Sequence, residues 1–183
     1  HQCGVAGAGR LSMTVVAGPA PQRCGIDSVE IARIERLLRE VVLREAKRIV
    51  RMANGVVITE TAHGFVCANG GVDASNVGPG SGSIVTLLPV DPDTSAAAIR
   101  DRIRTRFGRD VPVIVSDSFG RPWRWGIVDV AIGVSGLVPL DDLRGKADAD
   151  GRIMRSTVRA VADELASTAE LALGKSAGRP VAL

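Results

Sequence analysis

The sequence predicts a mixed α/β fold in one domain, with a sheet covered by at least three helices. Three observations lead there. Short β-branched runs at Val56–Thr59, Ile84–Val90, Val111–Val115 and Ile127–Val134 interleave with helical periodicities near residues 26–52, 94–107 and 156–173. No segment repeats. The 183 residues are 45% hydrophobic but only 3% aromatic. That length buries a core without disulfides, and the core must be made of Val, Ile, Leu and Ala.

Residues 1–25 are rich in Gly, Ala and Pro without periodicity and read as a loose tail; residues 26–183 form the domain. The glycines of Gly4–Arg10 lack a preceding strand, so a phosphate loop is the weaker reading there. From Ile26 to Met52, Ile34, Leu37, Leu38, Val41, Val42, Ile49 and Val50 recur at helical spacing, with Asp27 or Ser28 as cap and Gly55 as the stop. Val56–Thr59 reads as a buried strand, Gly78–Gly82 as a connector, and Ile84–Val90 as a strand stopped by Asp91-Pro92. Asp93 or Thr94 caps a helix to Phe107 with Ile99, Ile103 and Phe107 as its apolar stripe, and Gly108 closes it. Val111–Val115 is a strand running into Ser116-Asp117-Ser118. Ile127–Val134 is another, and Pro139–Gly151 is a polar loop. The last helix, Ser156–Leu173, turns Val158, Val161, Leu165 and Ala169 to one face.

Charge excludes some classes of partner. The 23 Lys+Arg against 20 Asp+Glu give a net of +3, with no basic run dense enough for nucleic acid or a membrane surface. Three cysteines with no CxxC or Cys/His spacing argue against a disulfide framework or zinc site and suit a reducing cytoplasm. No apolar run is long enough to span a bilayer, and residues 1–25 lack the pattern of a secretion signal. The sequence opens on His1 and not Met, so the natural start is expected elsewhere.

The stretch Cys67–Asn76, CANGGVDASN, sets Gly70 and Gly71 ahead of Asp73. Glycines let the backbone bend and approach a ligand closely, and a carboxylate on that bend is placed to meet a metal. Asp117, after an apolar strand, is the second candidate, with the Ser118 hydroxyl beside it. Asp73, Asp117 and Ser118 either hold Mg²⁺ or Mn²⁺ or, in the plainer reading, serve turns. Arg121 and Arg124 on the FGRPWR turn either grip a phosphate or carboxylate or are solvated over a packed Trp123. His63 and Cys67 read as structural, since no nucleophile elbow surrounds Ser118. Gly174-Lys175-Ser176 lacks the spacing of a Walker loop and reads as a helix end.

Ile58–Asn76, Leu87–Arg100, Val113–Leu137 and Thr157–Leu171 together resemble the coenzyme F420-0:L-glutamate ligase family, from roughly Val41 to Leu183. The resemblance implies a family-specific α/β ligase fold, a homodimer, and amide formation between L-glutamate and the carboxylate of F420-0, a deazaflavin coenzyme precursor. GTP is the implied co-substrate, with Mg²⁺ or Mn²⁺ as cofactor and K⁺ as an additional ion. By matching position, Asp73, Asp117 and Ser118 would be metal ligands, Ser118 standing where threonine is usual. Asn76 would contact GTP, and Arg121 and Arg124 fall to catalysis. The family's N-terminal GTP-contacting section has no recognised counterpart, and Ala62 replaces a usual arginine, so impaired activity or a non-catalytic remnant is the expected departure. Gly25–Leu38 weakly resembles the opening of holo-acyl-carrier-protein synthase, although ordinary Glu/Arg helix pairs explain it equally well.

Overall fold

The structure, a computed structural model, describes residues 28–53, 55–74 and 84–183. The predicted tail, Asp27, Ser75, Asn76 and the Gly78–Gly82 connector lie outside the described residues. The chain divides into two compact units, His1–Leu88 and Pro89–Leu183. Among the described residues, three helices and three small antiparallel sheets bear out the mixed α/β class.

In the first unit, helix α1 (Ser28–Glu45) leads into β1 (Ala46–Ala53), β2 (Val56–Thr61) and β3 (Val66–Ala68), ordered β1-β2-β3 in one sheet. The helix predicted to reach Met52 therefore stops at Glu45, and Ile49 and Val50 lie in a strand. β1 pairs with β2 up to Ala53↔Val56, a two-residue connection of Asn54-Gly55. Asn-Gly is the strongest short hairpin signal, and hairpin pairing outweighs the weak helical preference of a β-branched pair. Val41 and Val42 of α1 form the core with Val72, and Leu38, Val57, Val85 and Leu87 pack around them. Within the predicted strand at Ile84–Val90, Ile84 and Thr86 make isolated bridges and no continuous strand, Thr86 pairing with Asp73.

In the second unit, α2 (Pro92–Phe107) precedes the hairpin of β4 (Val113–Gly120) and β5 (Ile127–Ser135). Asp91 is the N-cap, accepting from Thr94 N at 2.9 Å, and Pro92 opens the first turn. Asp93, one of two predicted caps, instead accepts from Val134 N on β5 at 2.7 Å. Pro92 comes so close to β5 that a Cβ on Gly133 would lie 2.3 Å from its carbonyl carbon. Only glycine permits that approach. The predicted stripe is not what α2 buries: Ile99 and Phe107 are exposed, while Pro92 and Ala96 are buried. Short side chains serve because helix and strand meet almost backbone to backbone.

The predicted polar loop after Pro139 contains β6 (Asp141–Asp142), which pairs with β7 (Val158–Arg159), and a second bridge joins Ala147 to Ile153. Val158 thus belongs to a strand, and helix α3 begins at Val161 and ends at Leu173. Its buried residues are Ala162 and Ala166, whereas Leu165 is half exposed. Both α2 and α3 pack on β5, whose Ile132 is buried; burying such a side chain stabilises by about 1.5–3 kcal/mol.

Candidate functional site: two carboxylate positions and a serine–lysine pair

The bend predicted at Gly70 and Gly71 belongs to a short 3-10 turn, Asn69–Gly71, after β3. Asn69, Gly70 and Gly71 take φ of 53°, 64° and 71° in succession. A Cβ on Gly71 would fall 2.5 Å from the Leu88 side chain, so both conformation and space require glycine there. Asn69 Oδ1 accepts from Val57 N at 3.3 Å, tying the bend to β2. Beyond it, Asp73 N donates to Thr86 O at 3.1 Å and Thr86 N to Asp73 O at 2.8 Å. The Asp73 side chain is exposed on this fixed backbone. Asn76, the predicted GTP contact, lies outside the described residues.

Asp117 does not sit in a turn after a strand, because β4 continues through it to Gly120. The register Ser116↔Ala131, Asp117↔Val130, Ser118↔Asp129 is regular. Successive residues of a strand point to opposite faces. Asp117 therefore faces away from Ser118, although its Oδ1 accepts from Ser118 N at 2.8 Å. An ion at the Asp117 carboxylate and an ion at the Ser118 hydroxyl would occupy different faces of the hairpin.

The Ser118 face carries a network that two further residues complete. Asp129 is buried on β5; its Oδ1 accepts from Ser118 Oγ at 2.7 Å and its Oδ2 from Ser116 Oγ at 3.1 Å. Ser167 of α3 donates to the Asp129 carbonyl at 2.7 Å. Lys175, two residues past the end of α3, donates from Nζ to Ser118 Oγ at 2.8 Å. Ser118 thus donates a hydrogen bond to Asp129 and accepts one from an ammonium. The sequence pattern does not point to Asp129, and it meets Lys175 only in the Gly174-Lys175-Ser176 run that reads as a helix end and not a Walker loop. A lone acid inside the apolar run IVDVAIGV was the available signal, since a buried charge needs partners.

Arg121 and Arg124 occupy the tip between β4 and β5, both exposed. Arg121 Nη2 donates to the carbonyl of Trp125 and closes the tip on itself. Trp123 is not packed beneath the turn: it is fully exposed, at 101%, as is Trp125 at 97%. In the first unit, His63 stacks on Phe65 with ring centroids 5.6 Å apart, and Cys67 is buried. The remaining strong charge pairs are peripheral. Arg144 holds the Asp142 carboxyl down to about 2, and Arg159 lowers that of Asp141.

Asp73 and Asp117 are hard oxygen donors on hydrogen-bonded backbones, the donor type that Mg²⁺ or Mn²⁺ takes. Among the described residues no three His, Cys, Asp or Glu side chains gather to cage a metal. Each carboxylate by itself suits an ion that draws most of its shell from water and phosphate, as Mg²⁺ does.

The sequence matches the F420-0:Gamma-glutamyl ligase family over residues 11–183, a span that includes Gly25–Leu38. It is 49% identical over 145 residues to coenzyme F420:L-glutamate ligase of Methanocaldococcus jannaschii, covering 79% of this chain and 57% of the relative. The Methanothermobacter thermautotrophicus protein of that name is 44% identical over 158 residues, 86% of this chain and 61% of its own. That of Methanopyrus kandleri is 50% identical over 176 residues, 91% and 69%. The chain thus spans about three fifths of the length of the first two relatives. No helix among the described residues is long and apolar enough to cross a membrane. With the family match covering nearly all of its length, the chain belongs to the F420-0:gamma-glutamyl ligase family.

Proposed function

We propose that this chain supports GTP- and metal-dependent ligation of L-glutamate to the carboxylate of F420-0, in the cytoplasm and as a homodimer. In the proposed reaction the γ-phosphoryl group of GTP passes to that carboxylate, giving an acyl phosphate and GDP. The amine of glutamate then attacks the acyl carbon, phosphate leaves, and the amine proton goes to solvent. A divalent ion, when bound, would screen the repulsion between the phosphates and the attacking carboxylate.

One observation carries this reading beyond family membership: the Lys175 ammonium is fixed on Ser118 by a hydroxyl that Asp129 orients. A positioned cation of this kind stabilises charge on a transferring phosphoryl group without reorganising during the reaction. Asp73 and Asp117 are the proposed metal-binding carboxylates. Ser118 sets the lysine in place and offers its oxygen on the opposite face from Asp117. Arg121 and Arg124 are proposed to meet the anionic groups of the substrate, and Asn76 to contact GTP. The planar fork of an arginine's donors matches the oxygens of phosphate and carboxylate.

The test is incubation of the chain with F420-0, GTP, Mn²⁺ and L-glutamate. The expected product is F420-0 heavier by one glutamyl group, with GDP and phosphate released in equal amounts. Asp117→Asn should lower turnover by on the order of 100-fold, as loss of a charged metal ligand does. Absence of both turnover and calorimetric GTP binding would overturn the proposal and favour a non-catalytic remnant of the fold.

A further inference from the structure

The β4–β5 tip, residues 121–126, is built unlike a solvated turn. It carries Trp123 and Trp125, both almost wholly exposed, interleaved with Arg121 and Arg124. Leaving two indoles in water forgoes the largest apolar burial any side chain offers. Trp123 also holds φ of 57°, a left-handed conformation that a bulky residue adopts only at a cost. The Arg121 guanidinium, bonded to the Trp125 carbonyl, locks the tip, and Pro122 fixes one of its dihedrals. The indoles are therefore presented by a rigid frame and not left loose.

The charge of the tip says what it would take. From Phe119 to Val128 there is no acidic residue, and Arg124 has no ion-pair partner among the described residues. Two indole faces with two guanidinium groups suit a planar aromatic ring that carries anionic groups: the ring stacks, and the cations meet the charge. A second copy of the same tip would set arginine against arginine. A lipid surface would gain nothing from a locked, strained turn, whereas a rigid ring benefits from a preorganised platform.

We propose that the Arg121–Gly126 tip is a binding platform for the planar deazaflavin ring of the acceptor substrate, with Trp123 as stacking residue and Arg124 as anion contact. The proposal rests on the ligase reading, which supplies a substrate of this chemistry; no part of it concerns the phosphoryl step.

The two tryptophans are the only ones in the chain, and it has no tyrosine, so its intrinsic emission excited at the indole edge reports the tip alone. F420-0 is titrated into the full chain while emission is followed, and its binding is measured in parallel by equilibrium dialysis. Trp123→Ala, Arg124→Ala and Trp123→Phe are taken through the dialysis, with circular dichroism confirming that each folds. The expected result is saturable quenching at the affinity found by dialysis. Affinity should fall about tenfold in Trp123→Ala and Arg124→Ala and be largely kept in Trp123→Phe, which retains a ring to stack on. Dialysis binding that the Ala variants leave intact overturns the platform and spares the ligase reading. No F420-0 binding at all, under conditions where the chain binds GTP, overturns both. A ligand-free blue shift that grows with protein concentration, or one produced by phosphatidylglycerol vesicles and not by F420-0, assigns the tip to a second copy or to a membrane and overturns the platform.

Discussion

The hydroxyl of Ser118 lies 2.7 Å from the carboxylate of Asp129, its direct cross-strand neighbour in the β4–β5 hairpin. Because the hydroxyl donates its hydrogen bond to Asp129, an oxygen lone pair is turned outward, and the Lys175 ammonium is seated on it at 2.8 Å. One buried acid therefore sets the position of a cation that begins beyond the end of α3.

Asp129→Ala removes the acceptor for both Ser116 and Ser118 from a buried site. Stranding such groups costs about 1–3 kcal/mol, and the urea midpoint should fall accordingly with an unchanged slope. Asp129→Asn keeps the volume and one acceptor oxygen and should lose less.

Lys175 is exposed, so Lys175→Ala should leave the melting temperature nearly unaltered. Its effect is expected on nucleotide: about tenfold weaker GTP binding by calorimetry, the value of a charge-assisted hydrogen bond of about 1.5 kcal/mol. A lowered melting temperature with unchanged GTP affinity would make the lysine merely structural.

Gly133→Ala places a methyl group 2.3 Å from the Pro92 carbonyl carbon. Helix α2 must then shift off β5, at about 1–3 kcal/mol for overpacking, read as a lower melting temperature. Gly120, at the end of β4, has no neighbouring atom within 4 Å of an added Cβ. Gly120→Ala should change stability by no more than about 0.5 kcal/mol.

The β6–β7 hairpin carries an acid-sensitive pair. Arg144 lowers the Asp142 carboxyl from 3.8 to about 2. A depressed folded-state value means that the contribution is present above 3.8 and disappears as pH falls toward 2. The stability difference between the parent and Arg144→Ala should therefore be constant near neutrality and vanish at about pH 2. Because both groups are exposed, added salt should shrink it at every pH.

The elements legible in the sequence were those whose ends carry local chemistry. Helix α2 is fixed by Asp91-Pro92 in front and Gly108 behind, and β5 is a bounded apolar run. The boundary between α1 and β1 was not, because Ile49 and Val50 fall at helical spacing from Val42, and only the Asn54-Gly55 pair betrays the hairpin. The Ser156–Arg159 stretch misled for a related reason: Val158 continues the apolar period of α3, yet it pairs with Asp142 of β6. Of the candidate site, the Asn69–Gly71 bend was legible from its glycines. Ser118's true neighbours were not, since the strand register that puts Asp129 opposite it, and the chain path that returns Lys175 to it, are tertiary facts.

Among the described residues, every strand pair joins strands that are consecutive in the chain: β1 with β2, β2 with β3, β4 with β5, β6 with β7. The loops that must close before pairing begins are therefore short, and the entropy lost in closing them is small. Folding of either unit need not await a long-range encounter between distant strands, the step that slows most β-rich proteins. A stopped-flow refolding experiment should accordingly find the hairpins protected from hydrogen exchange early, with the seating of Lys175 on Ser118 among the last contacts to form.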